Sequence, residues 1–88
     1  MITLNQVNAI AEKLETAGVE ESTVSELRQL YQAIHFTYCM DDDLPNNTPV
    51  MEHQDFNLYL IDGREHCLCL TNDLDVATGI VVAEVIPD

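Results

Sequence analysis

The stretch FNLYLIDGREHCLCLT, residues 56–71, decides the fold. Two apolar runs, FNLYLI (56–61) and HCLCLT (66–71), flank Asp62-Gly63, the dipeptide signal of a β-hairpin. The length of the connection sets which side chains share a face, because strand side chains alternate. A two-residue loop sets Phe56, Leu58 and Leu60 beside Cys67 and Cys69. An odd-length loop sets them beside His66, Leu68 and Leu70, which segregates most of the apolar side chains. The odd loop is therefore expected, with a bulge at the glycine. It leaves Cys67 and Cys69 on the other face with Asn57, Tyr59 and Ile61.

Upstream of the hairpin, HFTYCM (35–40) alternates Phe36, Tyr38 and Met40 against Thr37 and Cys39, which is strand periodicity. Between them lies DDDLPNNTPVMEHQD (41–55), an acidic loop with two prolines, two asparagines and five acids. Downstream, Asn72-Asp73 caps one short helical turn ending at Thr78-Gly79, and IVVAEVI (80–86) forms the last, well-buried strand. The first 34 residues read as two helices. Thr3, with Gln6 in the capping-box position, starts one whose apolar positions are Leu4, Val7, Ile10, Ala11 and Leu14, and Gly18 stops it. Thr23 and Glu26 start the second, with Leu27, Leu30, Tyr31 and Ile34 on its apolar face. Two short helices with one apolar stripe each need a sheet to complete a core. The expected fold is a single α+β domain over residues 1–88, in two layers. A helical hairpin (1–34) packs on a mainly antiparallel four-stranded sheet (35–88) that carries the acidic loop 41–55, in the order ααββββ.

Hydrophobic content of 47 % with 22 % charged residues suits one globular domain of 88 residues. No apolar run approaches the ~18 residues needed to span a bilayer. MITLNQVNAIAEKLE has neither a basic n-region nor a continuous apolar h-region, so a cytoplasmic protein is expected. Three cysteines, an odd number, fit reduced thiols. Cys67 and Cys69, two apart on a strand, cannot easily bridge each other.

Charge excludes more than it assigns. Sixteen acids against Lys13, Arg28 and Arg64 give −13. Such a chain cannot neutralise phosphates, which removes nucleic acid, and it is repelled by anionic membrane surfaces. What stays open is solubility alone or the steering of a basic partner. Residues 1–34 carry five acids and two bases, and residues 35–88 carry eleven acids and one base. An electrostatic function therefore belongs to the second half.

The stretch HFTYCMDDD mixes ligand and nucleophile types. On a strand His35 and Cys39 share a face but stand about 13 Å apart, too far for a nucleophilic pair, so Cys39 reads as a structural thiol. Asp41, Asp42 and Asp43 lack the spacing of a calcium loop and end the strand in a solvated turn or an acidic surface. In His66-Cys67-Leu68-Cys69 the pleat turns the histidine away from both cysteines, and no C-x-x-C pair exists. Asn72, Asp73 and Asp75 suit an N-cap with acids in the first turn. There is no glycine-rich phosphate loop, no G-x-S-x-G and no H-E-x-x-H. No catalytic residue, metal ligand or cofactor is assigned.

The succession FTYC, DDD, FNLYL, HCLCLTND, ATG and VVAEV, from Phe36 to Val85, resembles a small family of acidic bacterial proteins of unknown function. Some of its members are encoded in nitrogen-fixation gene neighbourhoods. The resemblance implies a cytoplasmic accessory protein linked to nitrogenase maturation, protection or regulation, and it brings no catalytic residues.

The expected function is non-enzymatic: an accessory module that binds another protein, one with a basic surface. The candidate surface is Asp41, Asp42, Asp43, Glu52 and Asp55, with Tyr38 or Tyr59 as aromatic anchor. A sheet with open edges also allows a homodimer by strand pairing. The alternative is a divalent-cation or small-ligand binder using the Asp41–Asp43 loop or the Cys67/Cys69 face. A thiol redox sensor at Cys39 or Cys67 is the weakest reading, since the surrounding acids disfavour a thiolate.

Overall fold

The computed structural model describes residues 2–43, 48–63 and 69–86, Asp43 by its backbone alone. Helix α1, Leu4–Ala17, opens on the expected capping box: Gln6 N donates to Thr3 Oγ1 at 3.1 Å and Thr3 N to Gln6 Oε1 at 2.9 Å. Ile2 just before the cap and Val7 one turn in are both buried, the positions of a hydrophobic staple. Val7, Ile10, Ala11 and Leu14 face the core, while Leu4 is exposed. Gly18 ends the helix at φ 100°, a conformation a side chain rarely adopts, and its N–H closes on Leu14 O.

Helix α2, Glu21–Leu30, begins two residues before the expected cap. Thr23 is not the N-cap but a buried residue inside the first turn, beside Val24 and Leu27. Glu20 occupies the cap, and its carboxylate accepts from Ser22 Oγ at 2.8 Å rather than from a backbone N–H of the first turn. The earlier start is favoured by Val19 and Val24 in the staple positions, both in the main core, and by Glu21 at the positive end of the helix. The helix stops at Leu30, which is exposed, and Ile34 reaches the core from the turn that follows.

The sheet is mixed and, among the described residues, has five strands: β1 (His35–Met40), β2 (Met51–Glu52), β3 (Phe56–Asp62), β4 (Cys69–Thr71) and β5 (Gly79–Glu84). The fold class is α+β and the sheet mainly antiparallel as expected, with three antiparallel pairings, but one pairing is parallel and the expected count of four strands needs amending to five among the described residues. Strand β1 pairs parallel with β5, β5 antiparallel with β3, and the other edge of β3 is shared by β2 and β4. Hydrophobicity explains the order. GIVVAE buries five of its six residues, so β5 takes a central place with a partner on each side. HFTYCM buries only Phe36 fully and lies at the edge. The loop 41–55 is also more structured than expected: a 3₁₀ turn over Asp41–Asp43 ends β1, and Met51–Glu52 pairs with Leu58 and Asn57. Where a helical turn was expected after Asn72, a turn forms, held by Asp75 N donating to Asp73 Oδ1.

Two clusters hold the layers. On the helix face, Phe36, Phe56, Leu58, Leu60, Ile80 and Val82 join the buried residues of both helices. On the outer face, Tyr59, Ile61, Val81 and Ala83 form a smaller cluster, with Cys39 and Leu70 against it. This second cluster overturns the odd-loop reading of the hairpin. Ile61 stands opposite Leu70, Leu60 opposite Thr71 and Asp62 opposite Cys69, the register of an even connection. Cys69 therefore shares the face of Leu60, and Leu70 packs on the outer face. Because β3 buries side chains on both faces, segregating the apolar residues onto one face does not fix the register. His66, Cys67 and Leu68, which that reading also placed, lie outside the described residues.

Gly79 and Thr78 fix the junction of β1, β3 and β5. A Cβ on Gly79 would sit 2.7 Å from His35 O, so only glycine lets β1 approach there. His35 N donates to Thr78 O, Thr78 N to Ile61 O, and Gly63 N to Thr78 Oγ1.

Candidate functional site

The acidic residues singled out from the sequence divide into built-in and exposed groups. Asp41 follows β1 directly and is half-buried. Its Oδ1 accepts from Tyr59 OH at 2.8 Å and from Asn57 Nδ2 at 3.0 Å. Burial, then this hydrogen bond and the charge of Asp41, pushes the Tyr59 hydroxyl above its ordinary pKa. Asp41 is thus a structural acceptor that ties the end of β1 to the outer face of β3. Asp42 is exposed, and the side chain of Asp43 lies outside the described residues. Glu52, on β2, and Asp55, in the β2–β3 turn, are exposed as expected.

The two tyrosines lie on opposite faces of the sheet, so they cannot anchor one surface together. Tyr38 stands opposite Val82 on the helix face, and its hydroxyl donates to the carboxylate of Glu84. That hydrogen bond, with burial and the charges of Glu84, Glu21 and Glu20, raises the hydroxyl to about 12. Tyr59 is buried.

Sequence reasoning missed a cleft of about 280 Å³ at the C-terminal end of α1, against the start of β3 and the end of β5. Leu14, Val19, Phe56 and Ile86 line it with apolar surface, and Glu15, Asp55 and Glu84 contribute carboxylates. His53 braces its side: Nε2 donates to Glu15 Oε1 at 2.9 Å and the ring stacks on Phe56 with centroids 4.5 Å apart. Three acids from three elements have no sequence spacing to announce them. The nearest signal is the exposed Ile86 next to a run of buried residues.

Positive charge is spent internally. Lys13 pairs with Glu26 at 3.1 Å and Arg28 with Glu21 at 2.9 Å; Arg64 lies outside the described residues. Among the described residues no group of three His, Cys, Asp or Glu side chains is placed to hold a metal ion. The Cys67/Cys69 face falls partly outside them. His35 and Cys39 both lie on β1, four residues apart. No helix among the described residues is long and apolar enough to cross a membrane.

Neither a curated protein nor a solved structure matches this chain. A family profile does, over residues 9–85, which takes in most of α1 and every other element. The chain belongs to a family of unknown function, DUF6129.

Proposed function

We propose that this protein is a non-enzymatic interaction module whose acidic surface binds a protein with a basic surface. One observation carries the reading: both described bases are committed to glutamates of their own chain, in a chain of net charge −13. The exposed carboxylates of Asp42, Glu52 and Asp55 therefore project a field with little internal compensation, which speeds encounter with a cationic partner and disfavours anionic ones. The resemblance carried by FTYC through VVAEV supplies a setting for that partner, the maturation, protection or regulation of nitrogenase in a bacterial cytoplasm. The β1 edge, where Arg28 occupies the Phe36 carbonyl, leaves a homodimer by strand pairing as a secondary mode of association.

The test is capture from host extract with the wild type beside an Asp42→Asn, Glu52→Gln, Asp55→Asn variant. Asp41 is left intact because Tyr59 and Asn57 depend on it. A protein retained by the wild type, lost by the variant and eluted by salt supports the reading. Equal retention by both removes it.

A further inference from the structure

We propose that the cleft between α1, β3 and β5 receives a lysine or arginine side chain of the partner protein, an inference that rests on the acidic-module reading above. The cleft of about 280 Å³, at the lower end of the ~300–1,000 Å³ range of ligand pockets, has room for a long side chain. Its chemistry is split in the same way as a basic side chain. Apolar surface from Val19, Val85 and Ile86, over a floor of buried Leu14 and Phe56, matches an aliphatic stem, and the carboxylates of Glu15, Asp55 and Glu84 match a cationic head.

Charge complementarity chooses the occupant. Three carboxylates line one small concavity, and neither described base reaches it, because Lys13 and Arg28 pair with Glu26 and Glu21. Two of the carboxylates are already oriented: Glu15 by His53 Nε2 and Glu84 by Tyr38 OH. The backbone carbonyl of Asp55 accepts from Val85 N at 2.9 Å, which fixes the turn that carries the third. An anionic or purely apolar side chain would desolvate these carboxylates without adding a charge partner. A cation pairs with them while its stem covers Val19 and Ile86.

The probe is a synthetic peptide of alternating lysine and alanine, followed by fluorescence anisotropy, with the same peptide acetylated on every lysine as control. Two charge reversals separate a local site from diffuse acidity. Asp55→Lys places an ammonium over the cleft. Asp75→Lys makes the same change of net charge in the turn where Leu74 O accepts from Ile2 N, beyond the other end of α1. The fourteen-residue helix that lies between the two ends spans about 21 Å, more than a Debye length at physiological salt. The expected result is binding of the lysine peptide by the wild type and none of the acetylated one. Asp55→Lys weakens it about tenfold or more and Asp75→Lys less than about twofold. In the wild type, amide signals of Glu84, Val85 and Ile86 shift on titration, a readout that needs no variant to fold. Equal weakening by the two reversals, or shifts confined elsewhere, overturns the cleft and leaves the acidic module standing. No binding of the lysine peptide by the wild type overturns both.

Discussion

The Tyr59 hydroxyl donates to Asp41 Oδ1 across 2.8 Å, joining the central strand to the turn that ends the edge strand. Asn57 Nδ2 donates to the same oxygen, so one carboxylate oxygen holds two side chains of β3. Hydrogen bonds to charged acceptors contribute about 1.5–3 kcal/mol each when partly shielded. Tyr59→Phe removes one donor and should lower unfolding free energy by about 1–2 kcal/mol, read from the urea midpoint. In a double-mutant cycle with Asp41→Ala, which also removes the Asn57 bond, the two losses should not add, since the Tyr59 bond is common to both. Additive losses would show that the bond contributes nothing in solution.

Tyr38 gives the pH prediction. Its hydroxyl is raised from 10.0 to about 12, chiefly by donating to Glu84. The folded state therefore holds this proton more tightly than the unfolded chain. The resulting stability is complete below pH 10, declines as pH rises and is gone above about 12. The stability difference between wild type and Tyr38→Phe should accordingly shrink across that window. A constant difference from pH 8 to the top of the accessible range would contradict the pairing.

Much of this was legible in the chain and some was not, for physical reasons. Thr3 and Gln6 are local and obey capping rules, so α1 was readable to the residue. Thr23 and Glu26 satisfy the same pattern and mislead, because burial of Thr23, Val24 and Leu27 decides where α2 starts. The hairpin parity failed at Leu70 because the outer face holds a core of its own, a tertiary fact. Asp42, Glu52 and Asp55 emerged exposed as the composition suggested, but Asp41 became a structural acceptor through contacts 16 and 18 residues away. The cleft was invisible because Glu15, Asp55 and Glu84 meet only after folding.

Gly79→Ala should cost about 1–3 kcal/mol, since its Cβ meets the backbone of His35 at 2.7 Å and neither strand can yield cheaply. Amides of β1 should exchange faster with solvent while those pairing β3 to β2 stay protected. Uniform change across the sheet would mean that the junction is not a local constraint.

Arg28 guards the open edge. Its Nε and Nη2 donate to Phe36 O at 3.4 and 3.2 Å, on the side of β1 away from β5. Arg28→Met exposes that carbonyl, and concentration-dependent association by strand pairing should increase in sedimentation velocity. Arg28→Lys should not restore the guard, because a lysine lacks the planar fork that serves Phe36 O and Glu21 together. A variant as monomeric as the wild type would place any dimer contact elsewhere.

The central claim is that uncompensated carboxylates recruit a basic protein. Its most direct measurement is the affinity of the captured partner, purified, for the wild type and for the Asp42→Asn, Glu52→Gln, Asp55→Asn variant across ionic strength. Wild-type affinity should fall steeply with salt, and the variant should bind more weakly with a shallower slope. Equal affinities with equal slopes would contradict the account.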